Sequence, residues 1–280
     1  MQTTNRILDC LFIVPLYISG KASTFGAFEY TMPPLGILYM AAWLRENNYS
    51  VDLLDFSKNK RDEVKTVFYE FQKKYDTINW IGISITSPAS REGYRLAALC
   101  KKIFPDALIV LGGAHVQGLK KDVLLECPEA DYAIAGEGEY ALRELIDGKN
   151  LKTISGLIYR SENTIFFNDF ENFVDLKQMP LPAFDLIDFS GYGTKFSTVR
   201  YQNTSLGIMA TRGCPYKCTF CMHMTGSKLR YTPIYKVIEQ LKYFKNTLKI
   251  SQISFYDDTF TVSKVYASEL CRAIINEKLN

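Results

Sequence analysis

Short, uninterrupted apolar runs alternate with longer amphipathic stretches from Ile7 to about Ile146, and that alternation admits few folds. A strand made of continuous Ile, Val and Leu without polar alternation must be covered on both faces. The stretches between such strands are long enough for the crossover helix that parallel neighbours require. Strands are expected at Leu8 to Val14, Val51 to Asp55, Trp80 to Ile85, Leu108 to Leu111 and Tyr132 to Ala135. Helices are expected at Leu35 to Asn48 after Pro34, Asp62 to Tyr75, Arg91 to Phe104 behind Ser90 as N-cap, Gln117 to Leu125 and Glu139 to Ile146. The class is α/β, with a five-stranded, mostly parallel, doubly wound sheet as its first domain.

Beyond Asp147 the pattern changes. Gly156 to Tyr159 and Thr164 to Phe167 flank the turn Ser161-Glu162-Asn163 as a β-hairpin, and Met179-Pro180-Leu181-Pro182-Ala183 forms an extended connector. A second unit then opens: a strand at Ser205 to Ala210, a loop from Thr211 to Met224, a helix at Pro233 to Phe244, a strand at Ile250 to Tyr256 and a helix at Ser263 to Asn276. The expected domains are 1–146, a hairpin and linker at 147–203, and a second domain at 204–280. With 280 residues, 47% hydrophobic and 22% charged, the chain has material for two cores. Its net charge of +3 is interspersed, so no nucleic-acid partner is expected. The apolar stretch from Leu11 to Ile18 is broken by Pro15 and is too short for a membrane span. Seven cysteines without a secretory pattern point to a reducing, cytoplasmic setting.

Three of those cysteines fall in Arg212-Gly213-Cys214-Pro215-Tyr216-Lys217-Cys218-Thr219-Phe220-Cys221, spaced C-x3-C-x2-C. Three thiolates on one loop suit a soft centre, either zinc or an iron–sulfur cluster. A structural zinc site wants a fourth protein ligand, and the sole neighbour of that kind is His223. A cluster held by three cysteines instead leaves one iron open to a ligand. The strand followed by RGCPYKCTFC resembles the signature loop of the radical S-adenosylmethionine (radical SAM) superfamily. That resemblance implies that Cys214, Cys218 and Cys221 hold a 4Fe-4S cluster whose open iron chelates S-adenosylmethionine, with Phe220 against the adenine. Reductive cleavage of S-adenosylmethionine to a 5′-deoxyadenosyl radical is the chemistry it implies. Ile253 to Phe260 is similar to the F-x-D-D-x-F segment of the cobalamin-associated branch, which places Asp257 and Asp258 beside the methionyl group. The competing reading of these carboxylates is a cap for the helix after Thr261.

A doubly wound sheet binds ligands at the carboxyl ends of its strands. The loops there are Pro15 to Pro33, Thr86 to Ser90, Gly112-Gly113-Ala114-His115 and Gly136-Glu137-Gly138-Glu139, all rich in residues that allow close backbone approach. Together with PPLGILYMAAWLRENNYSVDLLD, IGISITS, LIVLGGAHV and DYAIAGEGEYALRELI, they look like the cobalamin-binding domain that precedes many radical SAM cores. The resemblance implies corrin contacts near Ser87, Gly112, Gly113, Gly136 and Glu137. The D-x-H-x-x-G motif that supplies a lower cobalt ligand is absent, and His115 reads as a hydrogen-bonding or structural residue. Cys10, Cys100 and Cys127 are expected to be buried or incidental, and Cys271 to lie in the core.

A full eight-unit barrel takes about 250 residues, whereas 67 remain from Cys214 onward. Radical SAM cores resemble a partial barrel of six units, so this chain is expected to be a piece of a longer protein or to need another chain for closure. The expected function is that of an oxygen-sensitive, cobalamin-dependent radical SAM enzyme transferring methyl to an unactivated carbon, reduced by a flavodoxin or ferredoxin. Its substrate, a small molecule or peptide, is not legible. Two alternatives stand beside it: a non-catalytic cobalamin-binding module, and a radical SAM enzyme that has lost cobalamin.

Overall fold

Strand β1 (Ile7–Val14) has Leu8 and Cys10 to Ile13 all essentially inaccessible, as expected of a run flanked on both sides. The computed structural model describes residues 6–16, 30–58, 63–189, 192–194, 205–250 and 252–279. Most of the expected Pro15 to Pro33 loop and the end of the 147–203 connector lie outside them. The chain divides into two compact units. One is Met1–Gly20, Gly36–Val174 and Pro182–Asp188, and the other is Lys21–Leu35, Asp175–Leu181 and Phe189–Asn280.

The elements run β1, β2 (Tyr30–Thr31), α1 (Leu35–Glu46), β3 (Val51–Asp55), α2 (Glu63–Gln72), β4 (Thr77–Ser84), α3 (Ser90–Ile103), β5 (Leu108–Gly112), α4 (Ala114–Leu119), α5 (Asp122–Glu126), β6 (Tyr132–Ile134), α6 (Gly138–Ile146), β7 (Leu157–Ser161) and β8 (Thr164–Phe167). They continue with β9 (Gly193–Thr194), β10 (Ser205–Ile208), β11 (Thr211–Arg212), β12 (Arg230–Tyr231), α7 (Ile234–Asn246), β13 (Gln252–Phe255) and α8 (Lys264–Asn276).

The first unit carries a seven-stranded sheet ordered β3-β1-β4-β5-β6-β7-β8. The first five strands are parallel, and β7 and β8 add antiparallel at the edge beyond β6. Five strands were expected. The hairpin assigned to the linker joins the sheet because Leu157, Ile158 and Tyr159 bury their side chains in register with β6. Its two-residue turn uses Glu162 at φ 53, which suits the twist of a tight hairpin. Counted as parallel strands alone, the order is 2-1-3-4-5. The strand order thus reverses between β1 and β4, and such a switch point is where sheets of this kind bind ligands, at the carboxyl ends of the strands.

The core lies under this sheet, with Leu11, Ile13, Ile81, Ile83, Leu96, Ile109, Leu111 and Val116 in one cluster. Gly82 in β4 makes room for Phe12, since a Cβ there would stand 2.9 Å from the ring.

Three expectations need correction. Ser90 begins α3 rather than capping it, because the short turn Ser87–Ala89 already leads in and its Ser87 carbonyl accepts the Ser90 N–H. The helix expected at Gln117 to Leu125 is two helices, α4 and α5, separated by Lys120 at φ 52. Cys271 is exposed. It sits a residue beyond Leu270, the buried position of α8, and so turns about 100° away from that face.

In the second unit β10 and β13 pair in parallel and α7 connects them through Val237, Leu241 and Phe244. Antiparallel β11 and β12 bracket the cysteine loop, and β2 pairs with β9.

Replacing Gly82 by Val is expected to destabilise the chain by about 1–3 kcal/mol through overpacking against Phe12, read as a lower urea midpoint. Gly36→Ala, where a Cβ meets nothing within 4 Å, serves as the control and leaves the midpoint unchanged or slightly higher.

Candidate functional site

In the first unit the loops after β4 and β5 are fastened together at the carboxyl end of the sheet. Ile85 N donates to Gly112 O at 2.8 Å, and His115 N donates to Ile85 O at 3.0 Å. The second bond needs glycine at 113, which has φ 96; a Cβ there would stand 2.6 Å from the Ile85 oxygen. This close approach lays the His115 ring beside Ser87, with Nδ1 3.1 Å from its hydroxyl. On the other side Nε2 lies 2.9 Å from the Tyr94 hydroxyl, which donates to Glu126 at 2.7 Å. Burial, followed by the Glu126 hydrogen bond, holds the Tyr94 phenol far above its ordinary range.

The other expected positions divide by role. Gly112 has open space beside it, with no atom nearer than 4.0 Å to a built Cβ. Ser87 is exposed. Gly136, at φ 83, is covered by the Phe170 ring, and the buried Glu137 carboxylate accepts the Val174 N–H at 3.0 Å. Gly136 and Glu137 thus anchor the segment that follows β8. The exposed Ser87 hydroxyl and the open space beside the half-buried Gly112 suit a flat ligand that needs close approach, so the end of β4 and β5 fits a corrin.

In the second unit the cysteine loop is pinned by the end of β13. Asp257 accepts the Ala210 N–H at 3.2 Å, the Thr211 hydroxyl at 2.6 Å and the Thr211 N–H. Burial raises its pKa above the usual carboxylate range, and the Thr211 bonds pull the other way. Asp258 accepts the Thr225 hydroxyl at 2.6 Å, and Thr225 Oγ1 accepts the Gly213 N–H at 2.8 Å. Cys214 N donates to Gly226 O, and Cys214 Sγ lies 3.5 Å from the Thr259 hydroxyl. Arg230 Nη2 donates to Thr225 O at 2.8 Å. The cap reading of Asp257 and Asp258 is overturned, because α8 is capped by Ser263, whose hydroxyl accepts the Tyr266 N–H at 3.2 Å.

Cys214 is half-buried, while Cys218 and Cys221 face solvent as free thiols. Among the described residues no three His, Cys, Asp or Glu side chains are gathered closely enough to hold a metal ion. His223, the fourth-ligand candidate for zinc, directs its backbone N–H to Cys221 Sγ at 3.5 Å. Phe220 is 90% exposed and Met222 49%, so folding of the loop leaves uncovered the apolar side chains that flank Cys221. Three free thiols on one pinned loop, with uncovered apolar neighbours, fit a cluster that would draw them together. The roles of Thr225, Thr259, Tyr94 and Glu126 carried no sequence signal, since Ser, Thr, Tyr and Glu occur at such positions in any fold.

Residues 24–146 match the family model of the B12 binding domain. The chain is 30% identical over 285 residues to a protein of Pyrococcus horikoshii named an uncharacterized methyltransferase, covering 98% of this chain and 59% of that one. It is 25% identical over 257 residues to an anaerobic magnesium-protoporphyrin IX monomethyl ester cyclase of Synechocystis, covering 89% of this chain and 50% of the relative. The chain thus spans about half the length of the curated relatives it matches. Its fold resembles that of the radical S-adenosylmethionine methyltransferase TsrM of Kitasatospora setae, solved with cobalamin and a [4Fe-4S] cluster bound. The TM-score is 0.74 at 18% identity, over 98% of this chain and 51% of the other.

Asp257→Ala leaves the Thr211 N–H and hydroxyl without their acceptor, which is expected to cost about 1–3 kcal/mol. The checks are a lower urea midpoint and faster proteolysis within the cysteine loop; a loop cleaved at the native rate would show that Asp257 does not hold it.

Proposed function

The chain is a B12-binding-domain protein built on the fold of a radical SAM methyltransferase, and from that premise we propose that it cleaves S-adenosylmethionine reductively and passes the resulting radical chemistry to a methyl transfer. The observation that carries this reading is the C-x3-C-x2-C loop, pinned by Asp257 and Asp258 at the end of a parallel strand, in a chain that also has a B12-binding domain.

Cys214, Cys218 and Cys221 are the residues that would hold a 4Fe-4S cluster, and Ser87 and Gly112 lie where cobalamin would be held. When bound, the cluster supplies an electron and an open coordination place, and cobalamin supplies a carrier for a methyl group. The chain's own residues do the positioning. Asp257 and Asp258 fix the two ends of the cysteine loop through Thr211, Gly213 and Thr225, which brings Cys214 to the mouth of the β10–β13 pair. The Thr259 hydroxyl stands beside Cys214 Sγ and offers a hydrogen-bonding partner to that sulfur. Phe220 and Met222 provide apolar surface next to Cys221 that excludes water once covered.

Transfer to an unactivated carbon, a flavodoxin or ferredoxin as electron donor and a cytoplasmic setting belong to this proposal. No helix of the described residues is long and apolar enough to cross a membrane. The substrate class is left open, because the names of the relatives span a methyltransferase and a ring-forming cyclase.

Anaerobic reconstitution with iron, sulfide and cobalamin tests the reading. About four irons and one corrin per chain are expected, with iron lost and corrin kept in Cys218→Ala. Incubation with S-adenosylmethionine and a reductant is expected to release 5′-deoxyadenosine. Corrin without iron would favour the non-catalytic module, iron without corrin a radical SAM enzyme that has lost cobalamin, and zinc in place of iron would overturn the cluster.

A further inference from the structure

Strands β10 and β13 run parallel with Ile208 opposite Phe255, so the cysteine loop and the segment after β13 leave the pair at the same end. Asp257 reaches across to Thr211 and Asp258 to Thr225, and the next residue, Thr259, places its hydroxyl 3.5 Å from Cys214 Sγ. That hydroxyl is not used by the short turn it precedes, since Phe260–Val262 starts at Thr259 without a side-chain cap. Its other partner is the Asp258 carbonyl, to which it donates at 2.7 Å.

Cys214 is the fixed member of the three thiols. Its N–H donates to Gly226 O at 3.1 Å, and Gly213 before it is held by Asp258 through Thr225. A Cβ at Gly213 would collide with the Lys228 carbonyl oxygen, so the backbone has no room to shift there. Cys218 and Cys221 are exposed. Drawing three sulfurs around one centre therefore moves those two and leaves Cys214 beside Thr259.

A cysteine sulfur bound to iron has lost its hydrogen and only accepts. Any hydrogen bond between Cys214 Sγ and Thr259 is then donated by the hydroxyl, whichever atom donates in the free thiol. The hydroxyl has one hydrogen for two acceptors, a neutral carbonyl and a sulfur carrying negative charge, and bonds to charged acceptors are roughly twice as strong. Rotation about the Cβ–Oγ1 bond is enough to re-aim it. Half-burial of Cys214 strengthens the bond, because the local dielectric is lower than that of water. An electron added to a cluster increases the negative charge on its sulfurs, so a donor there stabilises the reduced form more than the oxidised one.

We propose that Thr259 is a positioning residue that donates its hydroxyl hydrogen to the Cys214 sulfur and so raises the reduction potential of the cluster held there. This rests on the reading of Cys214, Cys218 and Cys221 as holders of a 4Fe-4S cluster.

The measurement is the reduction potential of the full chain, reconstituted anaerobically with iron and sulfide and titrated without S-adenosylmethionine, the reduced cluster being followed by electron paramagnetic resonance. Thr259→Val removes the hydroxyl at nearly constant volume. It is expected to lower the reduced-to-oxidised ratio at a fixed potential about three- to tenfold, a downward shift of roughly 30–60 mV, since tenfold corresponds to about 59 mV for one electron. Thr259→Ala, a second chain without the hydroxyl, is expected to shift the same way, and Thr259→Ser, which keeps it, to titrate with the unsubstituted chain. Iron is expected at about four per chain throughout. A potential in the Val and Ala chains equal to or above that of the unsubstituted chain overturns the proposal and leaves the cluster reading standing, as does a Thr259→Ser chain that falls with them. Loss of iron from both hydroxyl-free chains makes the hydroxyl a tether of the loop and overturns the proposal equally. An unsubstituted chain that folds cooperatively and holds no four-iron cluster overturns the cluster reading, and this proposal with it.

Discussion

Strand β1 is enclosed on both edges and both faces, and the first unit depends on that enclosure. β3 pairs with one edge and β4 with the other, and Leu8 and Cys10 to Ile13 are shielded from water. Burying side chains of that size is favourable by roughly 1.5–3 kcal/mol each, so the centre of the sheet is where distortion costs most. The position of β1 between β3 and β4 also sets the point at which the strand order reverses. The Cys10 thiol shows the same enclosure chemically. Burial pushes it far above its ordinary range, which makes it an inert filler, and Cys100, pushed up to about 12, behaves alike.

The cysteine loop is held in a different way. Cys218, Phe220, Cys221 and Met222 are exposed, so little apolar burial fixes the loop. Polar bonds from the end of β13 fix it, through Asp257 to Thr211 and through Asp258 to Thr225 and Gly213. Each such bond contributes about 1 kcal/mol net, enough in combination to aim a loop and not enough to bury it. The carboxyl end of the β4–β5 region uses the same device. There the backbone of Ile85 and the ring of His115 tie one loop to the next, while packing beneath them supplies the stability.

Much of this was legible because it is local. The period of the apolar runs marks β1, β3, β4, β5 and β6 within a few residues, and the cysteine spacing marks a soft-metal donor set wherever the loop lies. The hairpin was legible as a hairpin through Glu162 and Asn163, but its place at the sheet edge was not, since edge pairing depends on which strand is left uncovered. The break between α4 and α5 was hidden because Lys120 is not a residue that announces a left-handed turn. Asp257 and Asp258 were recognised as important, yet their partners lie 46 and 33 residues away in the chain.

The sequence by itself determined the α/β class, the order of the elements, the three thiols and the glycine-rich strand ends. Only the tertiary structure decided that Asp257 and Asp258 hold a loop instead of capping a helix, and that His115 joins Ser87 to Tyr94 and Glu126. Periodicity and residue chemistry are properties of a short window. A hydrogen bond between distant side chains is made or lost within a few tenths of an ångström, and that distance is set by strand register and turn geometry that no local window contains.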